Sequence, residues 1–109
     1  MGAPVFDPTK KKMKHLTYEE LEAWRRAGVA FQLIDVREIS EHEDFNIGGE
    51  NIPMSELFSA MSRLASDKPV VFYCKRGIRS QIAIQKLKRH FPEADFYNLR
   101  EGILNLAKK

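Results

Sequence analysis

The feature that most constrains the fold is a short, uninterrupted apolar run in the second half of the chain, Val70-Val71-Phe72-Tyr73. Its residues are β-branched or aromatic, and no polar residue alternates with them. Such a strand has both faces covered, as in the middle of a parallel sheet. A glycine-containing loop follows, and then a helical pattern over residues 80–91 that stops before Pro92. The order strand, loop and helix predicts an α/β domain around this central strand.

The rest of the chain continues this alternation. Thr17 and Glu20 form a capping box at the start of a helix that is predicted to end at Gly28. The remaining predicted elements are a strand at residues 31–34, a helical turn at 40–44, a helix capped by Ser55 and ending near Ser66, a strand at 96–99 and a short helix at 103–106. Strands that alternate with helices imply a parallel sheet with helices on both faces.

Size and composition limit the class of protein. The chain has 109 residues, 43% of them hydrophobic, which is enough for one domain with one core. Residues 1–14 lack periodicity and are predicted to be a tail, with the domain at residues 15–107. A net charge of +3 does not indicate nucleic acid as a partner, and no apolar stretch is long enough for a membrane span or a signal peptide. We therefore expect a cytoplasmic protein without a membrane or nucleic-acid partner.

The single cysteine, Cys74, directly follows the central strand. Ligands bind at the carboxyl ends of the strands in open α/β sheets, and the backbone N–H groups of a loop that enters a helix attract negative charge. Such surroundings favour the thiolate form of a cysteine. The alternative is a buried structural thiol, because free cysteine is among the most buried residue types.

The loop after Cys74 is cationic. Lys75, Arg76 and Arg79 follow within five positions and no acidic residue accompanies them, so a small anion would be drawn to the thiol. Gly77 allows a positive φ angle, and Ser80 is predicted to cap the next helix and to offer its hydroxyl to the sulfur. These features favour a reactive cysteine over a structural one.

Four segments of the chain, in this order, resemble rhodanese domains over about residues 15–106: Leu33-Ile34-Asp35-Val36-Arg37-Glu38, Asn51-Ile52-Pro53, Val70 to Ser80, and Tyr97-Asn98-Leu99-Arg100-Glu101-Gly102-Ile103. The resemblance implies a rhodanese-like fold, with a central parallel sheet of about five strands and helices on both faces.

The resemblance also implies a sulfurtransferase reaction. Cys74 would take the outer sulfur of thiosulfate as a persulfide and pass it to a thiol or to cyanide. The loop would bind the substrate through a set of six consecutive residues: Lys75, Arg76, Gly77, Ile78, Arg79 and Ser80. Cysteine phosphatases of the related fold place five residues between cysteine and arginine, whereas four separate Cys74 from Arg79, so phosphatase chemistry is not expected.

Two further segments refine the resemblance. Asp35, Arg37 and Glu41 are expected to support the site structurally, with an ion pair between Arg37 and Glu41. The segment Asn46-Ile47-Gly48-Gly49-Glu50 resembles rhodanese domains fused to the adenylating enzymes of sulfur-carrier proteins, which suggests a sulfur-carrier or acceptor protein as a partner.

No cofactor and no metal are expected. His15, His42 and His90 are not spaced as metal ligands, and none is near Cys74 in sequence. The alternative function is a non-catalytic module with the same fold that docks a partner protein or senses an anion. An anion sensor would bind thiosulfate without releasing sulfite.

Overall fold

The computed structural model describes residues 13–107, so most of the predicted tail at residues 1–14 lies outside the described residues. Within this part of the chain, strands and helices alternate. The elements are β1 (Lys14–Leu16), α1 (Tyr18–Ala27), β2 (Gln32–Asp35), α2 (Ile39–Asp44), β3 (Glu50–Asn51), β4 (Val70–Tyr73), α3 (Ile78–Lys88), β5 (Phe96–Leu99) and α4 (Leu104–Ala107). None of the helices between residues 13 and 107 is long and apolar enough to cross a membrane.

The five strands of the described chain form one parallel sheet in the order β1-β5-β4-β2-β3. The predicted central strand, β4, lies in the middle, and all four of its residues are buried. Asp35 at the end of β2 pairs in register with Tyr73 at the end of β4. The polar residues that follow β2 and β4 therefore lie side by side at the carboxyl edge of the sheet.

Each face of the sheet has its own apolar core. On one face, Phe72 packs in a cluster with Ala83, Ile84 and Leu87 of α3. On the other face, Tyr73 belongs to a cluster that includes residues of α1 and the segment that leads into α4. The predicted α/β class, with a parallel sheet and helices on both faces, is confirmed.

Local signals in the sequence account for α1. The Thr17 side chain accepts the Glu20 N–H at 3.1 Å, and the Glu20 side chain accepts the Thr17 N–H at 2.8 Å. Gly28 ends the helix with φ +75°. The capping box and the glycine stop are confirmed, because both depend on residues within one turn of the helix end.

The predicted helix from Ser55 is wrong. Residues Met54–Glu56 and Phe58–Arg63 instead form two 3₁₀ turns, and Ser55 lies inside the first of them without capping a helix. Leu57 and Ala60 are buried, three positions apart, while Phe58 is 46% exposed. This period of three matches a 3₁₀ helix, in which residues i and i+3 lie on the same side.

Candidate active site

The loop that holds Cys74 begins where β4 ends and runs directly into α3. The helix begins at Ile78, two residues earlier than predicted, and Gly77 precedes it with φ +85°. Cys74 is 1% exposed and belongs to the same apolar cluster as Phe72. The thiol is therefore buried, and its polar contacts decide what it can do.

Two backbone N–H groups point at the sulfur. The Gly77 N–H lies 3.1 Å from Sγ of Cys74, and the Ser80 N–H lies 3.4 Å from it. Both groups belong to the start of α3, where the helix dipole also favours negative charge. Since a backbone N–H only donates, the two contacts stabilise electron density on sulfur. This arrangement fits a sulfur nucleophile better than a structural thiol.

Ser80 does not cap α3, contrary to the prediction. It lies within the first turn of the helix, and its hydroxyl donates to Oδ1 of Asn98 on β5. The Ser80 Oγ also lies 3.4 Å from Sγ of Cys74, so the hydroxyl oxygen is close to the sulfur, but its proton goes to Asn98. Asn98 was missed by the sequence analysis, because only the packing of β5 beside β4 brings it to the loop.

The cations of the loop divide into two groups. The side chains of Lys75 and Arg76 form the first group and are exposed to solvent. The apolar Ile78, at the start of α3, is also exposed. Arg79 instead forms a two-point ion pair with Glu41 of α2, with nitrogen–oxygen distances of 2.8 and 3.0 Å. The role of Arg79 as a ligand for the substrate anion stays a prediction, and its guanidinium faces a carboxylate already.

Arg37 pairs with Asp35 and not with Glu41, so the predicted ion pair is wrong. Its guanidinium binds both carboxylate oxygens of Asp35, with the shortest contact at 2.7 Å, and donates to the Phe45 carbonyl at 2.6 Å. Asp35 and Arg37 are almost completely buried. Because Arg37 is two residues from Asp35, its side chain folds back on the strand end and leaves Glu41 to Arg79.

His42 also contacts Asp35, through Nδ1 at 2.8 Å. Burial works against the charge of Asp35, but the hydrogen bonds from Arg37 and His42 outweigh it and hold the pKa of Asp35 below its usual value. The carboxylate is therefore ionised and firmly held. These contacts brace the end of β2 beside the loop. That Asp35 and Arg37 support the function of the site stays a prediction.

The Tyr73 side chain connects the sheet to residues Ile47 and Gly48 through two hydrogen bonds. Its hydroxyl donates to the Gly48 carbonyl at 2.8 Å and accepts the Ile47 N–H at 3.3 Å. Burial, together with the nearby charge of Asp35, raises the pKa of Tyr73 to about 12. The tyrosine is thus a neutral hydrogen-bonding group over the whole physiological range.

A small cleft opens beside the loop at the carboxyl edge of the sheet. Its volume is roughly 130 Å³, and its lining mixes charged and apolar side chains: Arg37, Glu41, Asp44, Phe45, Lys75, Ile103 and Leu104. Among residues 13–107, no group of three or more histidine, cysteine or acidic residues could hold a metal ion.

The ion pair between Glu41 and Arg79 leads to a prediction on pH. The hydrogen bonds from Arg79 lower the pKa of Glu41 from 4.5 to about 2. A lowered pKa in the folded state means that the pair stabilises the protein above the unfolded value and loses this effect as the pH falls through about 2. Glu41→Gln is expected to reduce the free energy of unfolding by about 1 kcal/mol at neutral pH, since both side chains are partly exposed.

Urea unfolding of the wild type and Glu41→Gln at a series of pH values checks this. The difference in the free energy of unfolding between the two proteins is expected to be constant around neutral pH and to disappear as the pH approaches 2. A difference that persists unchanged at that acidity would show that the ion pair is not its source.

The fold and the site thus define an α/β domain with a buried cysteine at the end of its central parallel strand, and backbone N–H groups surround the sulfur. The rhodanese-like domain family matches residues 17–109. The chain therefore belongs to the rhodanese-like domain family.

Relatives of this chain include a Bacillus subtilis protein, Uncharacterized protein YqhL, which is 43% identical over 83% of this chain and 69% of its own length. Probable adenylyltransferase/sulfurtransferase MoeZ of Mycobacterium tuberculosis is 35% identical over 86% of this chain. This chain spans only 24% of the length of MoeZ. A thiosulfate sulfurtransferase from Pseudomonas aeruginosa has a similar structure, with a TM-score of 0.77 and 26% identity over 93% of this chain and 20% of its own.

Proposed function

We propose that the protein is a sulfurtransferase that carries a sulfane sulfur as a persulfide on Cys74. The observation that carries this proposal is the pair of N–H groups, from Gly77 and Ser80, that point at the buried Sγ. The proposed donor is thiosulfate or another persulfide, and the proposed acceptor is a thiol or cyanide. The compartment we propose is the cytoplasm, where reducing conditions keep the thiol free.

The proposed reaction has two steps that need no external oxidant or reductant. The Cys74 thiolate attacks the outer sulfur of thiosulfate, so that an S–S bond forms on Sγ. At the same time the S–S bond of thiosulfate breaks, and sulfite leaves with the bonding electron pair. The acceptor then attacks the outer sulfur of the persulfide, and Sγ leaves as a thiolate that the Gly77 and Ser80 N–H groups stabilise.

The charges around the loop support an anionic donor. Lys75 and Arg76 are exposed on the loop itself, and exposed cations raise the local concentration of small anions. The cations of Arg37 and Arg79 are each compensated by a carboxylate. In this proposal Lys75 and Arg76 attract the donor, and Arg79 chiefly holds α3 to α2.

The proposed acceptor includes a protein. Adenylyltransferase–sulfurtransferases such as MoeZ carry a domain similar to this chain, at 35% identity. A sulfur-carrier protein or another protein thiol is therefore a proposed partner of the exposed loop around Cys74.

Intact mass spectrometry tests the proposal. The protein is measured alone, after thiosulfate, and after later addition of cyanide, with Cys74→Ala treated in parallel. The wild type is expected to gain the mass of one sulfur atom and to lose it to cyanide, while Cys74→Ala stays unchanged.

The sulfurtransferase proposal would be overturned if the wild type, with its thiol shown to be free, gained sulfur neither from thiosulfate nor from a persulfide donor such as glutathione persulfide. Binding of thiosulfate without release of sulfite, measured by calorimetry and a sulfite assay, would identify an anion sensor instead.

A further inference from the structure

Asn98 is a completely buried amide next to the candidate site, on strand β5 beside β4. Its Oδ1 accepts the hydroxyl proton of Ser80. Its Nδ2 lies 3.3 Å from the Gly77 carbonyl and 3.3 Å from Nδ1 of His15. Asn98 thus contacts Gly77 and Ser80, the two residues whose backbone N–H groups point at the sulfur.

The contact with Gly77 settles which way the amide points. A carbonyl oxygen only accepts hydrogen bonds, so the group that faces the Gly77 carbonyl is the NH₂ of Asn98. The oxygen of the amide therefore faces Ser80, and the Ser80 hydroxyl donates to it. Because a hydroxyl has one proton, Ser80 Oγ offers only a lone pair to Sγ of Cys74 in this arrangement.

The residues that Asn98 holds are the same two that donate N–H groups to the sulfur. Gly77 is held through its carbonyl, and Ser80 through its hydroxyl. Their N–H groups lie 3.1 and 3.4 Å from Sγ of Cys74. The alignment of a donor with a charged acceptor affects the strength of the bond, so a side chain that contacts both donor residues is placed to influence the charge on sulfur. The Gln81 side chain also donates to the Gly77 carbonyl, at 3.0 Å, whereas Asn98 is the side chain that contacts both Gly77 and Ser80.

We propose that Asn98 is a positioning residue for the Cys74 nucleophile, which keeps the Gly77 and Ser80 N–H groups aimed at Sγ and so stabilises the thiolate. This inference rests on the proposed function in so far as it takes Cys74 as the nucleophile. It adds a residue of β5 to a site that the loop alone had defined.

The experiment measures how fast iodoacetamide alkylates Cys74 at a series of pH values. Asn98→Leu has nearly the same shape and removes all polar contacts of the side chain. For this variant, the pH of half-maximal rate is expected to rise by about one unit, because a hydrogen bond to a charged group loses its alignment. At pH values well below this midpoint, the alkylation rate is expected to fall about tenfold.

Two further variants act as controls. Ser80→Ala removes the hydroxyl but keeps both N–H groups and the bond from Asn98 to Gly77, so a smaller shift is expected. Asn105→Leu makes the same chemical change at an exposed position, and its profile is expected to match the wild type. If Asn98→Leu is unfolded by circular dichroism, Asn98→Ser replaces it, since serine is too short to hold both partners.

An unchanged profile for the folded Asn98 variant would overturn the proposal. A fall in the pH of half-maximal rate would also overturn it. Such a fall would mean that the Ser80 hydroxyl, once released from Asn98, donates to the sulfur and that this effect outweighs the positioning of the N–H groups. A shift in Ser80→Ala as large as that in Asn98→Leu would assign the effect to the hydroxyl and would also contradict our inference. Alkylation needs no sulfur donor, so these outcomes are independent of whether thiosulfate transfer is observed.

Discussion

Gly77→Ala is expected to slow formation of the Cys74 persulfide by about 100-fold, because a displacement of about 1 Å at a reacting centre has an effect of this size. Gly77 has φ +85°, a backbone conformation that residues with a side chain rarely adopt. A Cβ at this position would lie 2.2 Å from the carbonyl oxygen of Arg100. The loop and the Arg100 carbonyl must therefore move apart, and we expect this shift to misalign the Gly77 N–H relative to the sulfur.

The matched control is Gly28→Ala at the end of α1. Gly28 has a similar φ angle of +75°, but nothing lies within 4 Å of the Cβ that would be added. We expect both variants to lose about 1 kcal/mol or more of unfolding free energy from the backbone conformation. Only Gly77→Ala adds a steric clash, and only in this variant is persulfide formation expected to slow.

The measurements are urea unfolding and the rate of sulfur uptake from thiosulfate, followed by intact mass. Equal rates of uptake in the two glycine variants would contradict the prediction, because the loop would then tolerate the displacement that the Arg100 carbonyl imposes.

Arg37→Met is expected to destabilise the protein by about 3–5 kcal/mol, since it leaves the completely buried carboxylate of Asp35 without its main partner. Methionine keeps most of the length of the arginine side chain and removes its charge. The variant also loses the hydrogen bond to the Phe45 carbonyl at 2.6 Å. Urea unfolding at neutral pH measures the loss.

The pH dependence of this effect has a definite sign. In the wild type, the hydrogen bonds from Arg37 and His42 prevail over burial and keep the pKa of Asp35 below its usual value. The stability that this provides is present above the unfolded pKa of 3.8 and is lost as the pH falls through the folded value. The difference in the free energy of unfolding between the wild type and Arg37→Met is therefore expected to become smaller in acid.

Two comparisons separate the buried charge from other causes. The double variant Asp35→Leu with Arg37→Met removes both charges, and we expect it to be more stable than Arg37→Met alone. Asp95→Asn weakens an exposed ion pair with Lys14 and is expected to change stability by about 1 kcal/mol or less. A double variant that is no more stable than the single one would show that the unpaired carboxylate is not the source of the loss.

Those parts of the fold that depend on neighbouring residues could be predicted from the sequence. The start and end of α1 depend on Thr17, Glu20 and Gly28, which act within a turn of the helix. Strand β4 was predicted because four consecutive β-branched or aromatic residues without polar alternation are typical of a strand covered on both faces. Strands β1 and β3 were not predicted, because they are short edge strands with polar residues and owe their structure to a neighbouring strand.

The same division applies to the candidate site. Cys74 and its loop stand out in sequence, because a strand, a cysteine, cations and a glycine follow one another without interruption. The partners of the charged residues could not be read from sequence. Arg79 and Glu41 are 38 positions apart, and only the tertiary fold brings their side chains within 2.8 Å of each other.

By itself, the sequence determined the class of fold, the strand at its centre and the cysteine at the end of that strand, because these follow from the order of apolar, polar and glycine residues along the chain. Only the tertiary structure decided which groups surround the sulfur. Asn98 lies 24 positions from Cys74 and reaches the loop through Ser80, 18 positions away, since β5 runs parallel to β4. Hydrogen bonds between adjacent strands and across the loop depend on distance in space, which spacing along the chain does not specify.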